Sequence, residues 1–309
     1  MTENEKKIYN TVYDNSILFL KRGIAEVLSH QDNLDAPFDK ETGIVSSMFT
    51  QMSIELALKA FLIKEKGIKS ILSSKYINRT DSDIFTAFES NTLHTKIYND
   101  LKQVLIDNKS LTWFSDNDFY HLEQFQQFRN KIVHLNLFLG EDDLYDLKYE
   151  IIYVIVHVIV PLLAEISFEF ETPTAFYNKY LNKSEYKKLI SFRPYVSEME
   201  KLAIYFTGVS YYCPECYKRT YSSVNDLCYC CNLSYEHMVE YTNCTVCKTS
   251  NSVIFDPYNM ECNNHVINGL CLNCQTKMQV HKCPKCGNKY TFFIEKELTK
   301  CTPAKCFYE

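Results

Sequence analysis

Residues 125–134 read FQQFRNKIVH, from Phe125 to His134. At about 3.6 residues per turn, a helix through this stretch puts His121, Phe125, Phe128, Ile132 and Leu135 on one face. Asn130 and His134, four apart, share the opposite face, and Arg129 lies between the two. The apolar stripe predicts a helix packed into a bundle. A guanidinium, a carboxamide and an imidazole are left on the side that a core does not want. Arginine offers a planar donor fork suited to phosphate, and an imidazole titrates near neutrality and can carry a proton.

The flanking sequence continues the helical pattern and predicts a mainly α first half. Residues 5–29 carry Ile17, Leu18, Leu20, Ile24, Val27 and Leu28 at helical spacing, and residues 43–66 are apolar on most sides, as a central helix would be. Residues 67–93 are polar and broken. Residues 94–108 are amphipathic again, and 141–167 form the last long helix. Glu55 and Lys59 interrupt the central helix, acid first and four apart, the favourable order for a pair along one face. Two readings stand: an ordinary ion pair, or a carboxylate that faces the Arg129 helix.

Arg129-Asn130, three residues and then His134, set just before a long apolar helix, resembles the R-x4-6-H motif of HEPN domains (higher eukaryote and prokaryote nucleotide-binding). Asn follows Arg directly, as it commonly does in that family, and Glu55-Leu-Ala-Leu-Lys59 is similar to the family's E-x-x-L-K helix. The likeness covers about residues 5–168. It implies a HEPN-like helical bundle, a homodimer whose motif helices meet in one composite cleft, and a metal-independent endoribonuclease. By the same resemblance His134 is general base or acid, Arg129 neutralises the reacting phosphate, Asn130 fixes the His134 tautomer or touches phosphate, and Glu55 orients Arg129 or His134. RNA is the implied substrate.

Composition sets limits on that picture. The formal charge over 309 residues is −5, with 23 basic and 29 acidic residues up to position 210 and 10 and 9 beyond it. Neither part has the basic footprint of a strong duplex binder, so RNA contact is expected to be local and brief. All fourteen cysteines fall between Cys213 and Cys306. The opening MTENEKKIYN is charged where a secretory signal needs an apolar core, and the cysteines recur as C-x-x-C pairs, which suits zinc in a reducing cytoplasm better than disulfides. The apolar run Ile151–Ala164 contains His157 and Pro161 and is short for a bilayer, so no membrane association is expected.

Three regions follow: a HEPN-like bundle over 1–168, a helical linker over 169–210, and a small zinc-stapled β-rich domain over 211–309. In the linker, Phe176, Tyr177, Tyr180 and Tyr186 recur beside lysines. They could stack on single-stranded RNA, and the pattern reads more simply as a half-buried helix face. In the last region Cys213, Cys216, Cys228 and Cys231 have zinc-ribbon spacing, with Cys230 left over. The remaining pairs are Cys244/Cys247, Cys262/His265, Cys271/Cys274, Cys283/Cys286 and Cys301/Cys306. One arrangement joins Cys244/Cys247 with Cys271/Cys274 and Cys283/Cys286 with Cys301/Cys306. The other resembles a RING cross-brace, in which Cys262/His265 joins Cys283/Cys286. The wide gap from His265 to Cys271 favours the first; in both, Cys244, Cys247, Cys271 and Cys274 share a metal. Two to three or more Zn2+ per chain are expected, all structural, since a site closed by four protein ligands leaves no position for a catalytic water.

The combination suggests a toxin or antiviral defence effector whose zinc fingers sense a protein or nucleic-acid trigger. The competing class is a non-catalytic HEPN module that dimerises or holds a nucleotide while the zinc fingers bind protein or nucleic acid.

Overall fold

The computed structural model describes residues 1–29, 36–107, 114–133, 139–167, 173–236, 238–259, 266–283 and 286–292. The chain divides into two units, Met1–Tyr195 and Val196–Glu309. The first is helical: α1 (Glu3–Ser29), α2 (Lys40–Lys66), α3 (Asp81–Glu89), α4 (Tyr98–Asp107), α5 (Asp116–Val133), α6 (Glu141–Val154), α7 (Val160–Ser167), α8 (Pro173–Tyr180) and α9 (Lys183–Leu189). Helix α10 (Arg193–Thr207) crosses the boundary, and beyond it the described residues of the second unit form short strands and a single 3-10 turn, Pro257–Asn259. The chain is thus mainly α, followed by a small cysteine-rich β region.

Helix α2 is the centre of the first unit. Asp39 starts it, its carboxylate accepting from the Thr42 amide at 2.9 Å and the Thr42 hydroxyl at 2.7 Å. Gly67, at φ 80°, ends it. Between these caps Ile54, Ala57, Leu58, Ala60, Phe61, Leu62 and Ile63 are all buried, so the helix meets protein on most sides. Small residues let α1 come close. Ser16 Oγ donates to the Ser53 carbonyl at 2.8 Å, and Ser53 Oγ donates to the Ser16 carbonyl at 3.0 Å. A Cβ on Gly23 would meet Thr50 Oγ1 at 3.3 Å, a tight contact that the neighbouring side chain would have to yield to by a few tenths of an ångström.

The helix expected over 141–167 is present, with a π turn at Ile155–Ile159 between α6 and α7. Pro161 explains it. In a regular helix its ring would strike the carbonyl of His157 and it has no N–H to offer, whereas a wider turn relieves both problems. By length and composition Glu141–Ser167 could cross a membrane, and 67% of its most apolar window is buried inside the protein, as in a bundle's core helix. Helices α8 and α9 also belong to the first unit. Phe176 and Tyr177 are buried, and the Tyr177 ring meets Tyr195 edge-on at 5.4 Å, so these two aromatics are used for packing.

In the second unit, β1 (Tyr211–Tyr212), β2 (Arg219–Ser222) and β3 (Leu227–Cys228) form one antiparallel sheet. A second meander runs in chain order through β4 (Glu240–Thr242), β5 (Val253–Phe255), β6 (Val266–Cys271), β7 (Lys277–Lys282) and β8 (Lys289–Phe292). Its core is small: Val253, Phe255, Met278 and Val280 close around Cys244 and Cys271. Tyr211 joins the sheets by donating to the Ser250 carbonyl at 3.0 Å, and the Tyr221 and Tyr241 hydroxyls meet at 2.5 Å.

Gly269 lies where β6 passes stiff neighbours. A Cβ there would come 2.8 Å from Val280 Cγ2 and 2.9 Å from Val253 Cγ1. Gly269→Ala is therefore expected to destabilise the second unit by about 1–3 kcal/mol through overpacking, read as a lower urea midpoint for that unit. An unchanged midpoint would show that the sheet yields freely there.

Candidate functional site

In the first unit a cavity of about 510 Å³ opens between α2, α5 and the segment Thr95–Asn99. Gln51 and Glu55, one turn apart, come from α2, and Gln126, Arg129 and Asn130 come from α5. The third wall is pinned from below, where the Lys96 amide donates to the Ile71 carbonyl at 2.8 Å and its Nζ donates to the Ser70 carbonyl at 2.7 Å. Gln126 Nε2 donates to Asn99 Oδ1 at 2.7 Å, and Lys102 bonds Glu123 and Gln126, so α4 and α5 are cross-linked along the rim.

Glu55, Arg129 and Asn130, named from the sequence, therefore line one cavity. Glu55 accepts from Lys59 Nζ at 2.6 Å, so the ion pair and the motif-facing position coexist. Arg129 donates through Nη1 to Asn130 Oδ1 at 3.2 Å. The helix is turned slightly from the sequence expectation. Asp118, Leu122, Phe125 and Ile132 are buried, while Phe128 and Arg129 are half-buried. His134 lies outside the described residues. Its sequence neighbours give no geometry for its ring.

His121 is used elsewhere. Its Nδ1 lies 2.9 Å from a Glu150 carboxylate oxygen, and its ring stacks on Tyr153 at 3.7 Å between centroids. Tyr153 donates to Asp118 Oδ1 at 2.8 Å and stacks in turn on His157, in the π turn, at 4.3 Å. This column fastens α5 to α6 and so fixes the direction in which α5 presents Arg129.

Sequence reasoning did not find Gln51, Tyr98, Asn99 or Gln126, all of which line the cavity. The available signal was Gln51, a polar residue inside the otherwise buried part of α2. Tyr98 gave none, since a tyrosine that starts a helix is ordinary.

The cysteines of the second unit form two groups, Cys213/Cys216/Cys228/Cys231 and Cys244/Cys247/Cys271/Cys274, each with its sulfurs within 4.8 Å of one another. Closest approaches are 3.6 Å for Cys213–Cys231, 3.8 Å for Cys216–Cys228, 3.8 Å for Cys244–Cys274 and 3.7 Å for Cys247–Cys271. A tetrahedron with zinc–sulfur bonds of about 2.3 Å has edges of about 3.8 Å, so both groups fit a zinc ion closely. Backbone amides aim at the sulfurs, as thiolates require: Glu215 to Cys213, Cys231 to Cys228, Val246 to Cys244 and Cys274 to Cys271, at 3.3–3.4 Å. Burial pushes the Cys247 thiol up, but hydrogen bonds with Thr249, Asn273 and Cys244 outweigh it and bring it down to about 6. Contacts with Cys213, Cys216 and Cys231 hold Cys228 far below the usual thiol range. Cys230 is buried beside the first group rather than in it.

One backbone form recurs at the five pairs among the described residues. The amide of the first cysteine donates to the carbonyl five residues on: Cys213 to Lys218, Cys228 to Leu233, Cys244 to Thr249, Cys271 to Thr276 and Cys283 to Asn288, at 2.8–3.0 Å. The residue after the second cysteine has positive φ in each case: Tyr217, Asn232, Lys248, Gln275 and Gly287. Cys283 and Cys286 thus share the geometry of the two assembled groups. Cys262, His265, Cys301 and Cys306 lie outside the described residues.

Comparison with family models, curated proteins and solved structures finds no match. Both assembled cysteine groups can be tested directly. Purified chain is expected to carry at least two zinc ions by native mass spectrometry, and Cys216→Ser and Cys274→Ser should each remove one. Full zinc content in both variants would contradict the four-sulfur sites.

Proposed function

We propose that this chain is a HEPN-type endoribonuclease that works as a homodimer without a catalytic metal. The observation that carries the reading is the meeting of Glu55, Arg129 and Asn130, from two helices distant in sequence, on one polar cavity. In the reaction an RNA 2′-OH attacks the adjacent phosphorus as the bond to the 5′-oxygen breaks. The products are a 2′,3′-cyclic phosphate and a free 5′-OH. His134 takes the proton from the 2′-OH or supplies one to the leaving oxygen, with its copy on the second subunit free to play the other part. Arg129 spreads its charge over the phosphorane, and Asn130, already bonded to Arg129, holds the fork in place. Glu55 keeps the cavity polar and orients the arginine. Because the nucleophile belongs to the substrate, the protein need only position and exchange protons.

Zinc has a separate, structural role in this proposal. Two ions sit in the assembled cysteine groups and a third on Cys283/Cys286, whose turn already has the required shape. Either Cys262/His265 or Cys301/Cys306 completes that third site. The zinc-bearing unit would sense a protein or nucleic-acid trigger, in keeping with a cytoplasmic toxin or antiviral effector.

RNA cleavage by zinc-loaded full-length protein is expected to survive added EDTA on the time scale of the assay and to leave cyclic phosphate ends. His134→Ala and Arg129→Ala should each lower the rate at least roughly 100-fold with dimer mass unchanged. Wild-type rates in His134→Ala would remove the assignment. RNA binding with no turnover in the wild type would favour the non-catalytic module.

A further inference from the structure

Two side chains on the cavity wall have polar atoms that make no hydrogen bond in the protein. Gln51 is 8% exposed and its Oε1 is shut off from water without a partner; Tyr98 is also 8% exposed, and its hydroxyl is in the same condition. Both residues line the cavity that holds Glu55 and Arg129. Folding ordinarily satisfies such atoms, and a buried group without a bond opposes stability. A site that must hold a polar ligand is where this cost persists, because the ligand supplies the missing partner. Burial, together with the negative charges of Glu123 and Glu55, keeps the Tyr98 phenol neutral, so it retains a proton to donate.

The chemistry of the wall narrows the ligand. Arg129 bonds Asn130 through Nη1 alone, which leaves its other guanidinium N–H groups to face an anion. Glu55 and Gln51 Oε1 are acceptors and require N–H or O–H groups from the ligand. A carboxylate on the same cavity opposes a second anionic group, so a ligand with a single anionic end fits better than a polyphosphate. A volume of about 510 Å³ suits a molecule of nucleotide size.

We propose that Gln51 and Tyr98 are the nucleoside-reading wall of this cavity. A ribonucleoside monophosphate group, free or as one unit of an RNA strand, seats its phosphate on Arg129; small turns of the two side chains into the cavity then bring Gln51 Oε1 to its ribose hydroxyls or base N–H groups and the Tyr98 hydroxyl to a base carbonyl or ring nitrogen. The inference rests on the phosphate-binding role proposed for Arg129, and it adds the residues that choose which nucleotide enters.

The test is a binding titration of zinc-loaded full-length protein with the four ribonucleoside 5′-monophosphates and with matched RNA and DNA octamers. It compares wild type with Gln51→Leu and Tyr98→Phe, alongside thermal unfolding of each. Each substitution is expected to weaken binding at least tenfold and to flatten the preference among bases or for ribose, without lowering the unfolding temperature, because the atom removed bonds nothing in the protein. Binding of the monophosphates identifies a free nucleotide as sufficient; binding of the RNA octamer alone identifies the strand as the source, and either supports the site. No binding of any probe by the wild type overturns the proposal, as do unchanged affinity and preference in both variants. Weaker binding that tracks a lower unfolding temperature also overturns it. Cleavage that depends on Arg129 and His134 but ignores Gln51 and Tyr98 sinks this inference alone. Nucleotide binding that needs Gln51 and Tyr98, in a protein that never cuts RNA, sinks the endoribonuclease reading alone.

Discussion

Two serines that answer each other across a helix crossing set the geometry of the first unit. The reciprocal bonds between Ser16 and Ser53 fix how closely α1 and α2 approach and how α2 is rotated about its own axis. Ser53 lies between Gln51 and Glu55 in sequence, so the face that grips α1 determines where those two side chains point. Buried hydroxyls bonded across the crossing tolerate little sliding, because a shift of one turn would break both bonds. The cavity is therefore defined from the interior of the bundle. The loops around it fill in its rim.

The second constraint on the cavity comes through α5. Its register against α6 is held by the column of His121, Tyr153 and His157 and by the buried Asp118, which accepts from Tyr153. The π turn forced by Pro161 is part of this arrangement, since it contains His157. A residue that looks like a helix breaker in the sequence thus helps to position His157 behind Tyr153, the ring on which His121 of α5 stacks. None of these residues contacts the cavity, yet they decide which way Arg129 faces.

Helix content and the order of the two regions were legible because they rest on local signals: apolar spacing in α1, α2 and α6–α7, and C-x-x-C pairs confined to the last third. The grouping of Cys244 and Cys247 with Cys271 and Cys274 was legible for the same reason, since both plausible pairings required it. The rotation of α5 was not. Counting apolar residues put His121 on the core face, whereas an acid on α6 and a stacked tyrosine make a half-exposed imidazole favourable there. The missing partners of Gln51 and Tyr98 were illegible for a different reason. A missing partner is a property of the folded surroundings, and no residue type or spacing announces it.

The turns of the second unit carry a cost of their own. Tyr217, Lys248 and Gln275 sit at φ 58°, 61° and 59°, where a side chain with a Cβ is disfavoured by about 1–2 kcal/mol per residue. With a core of only a few apolar side chains, this region would rely on an ion held by its sulfurs to keep those backbones in place. Loss of the ion would release the tension at several turns together. The unit should then come apart as a whole rather than loosen gradually, giving it the sharp, all-or-none response to metal depletion or thiol oxidation that a fuse has to current.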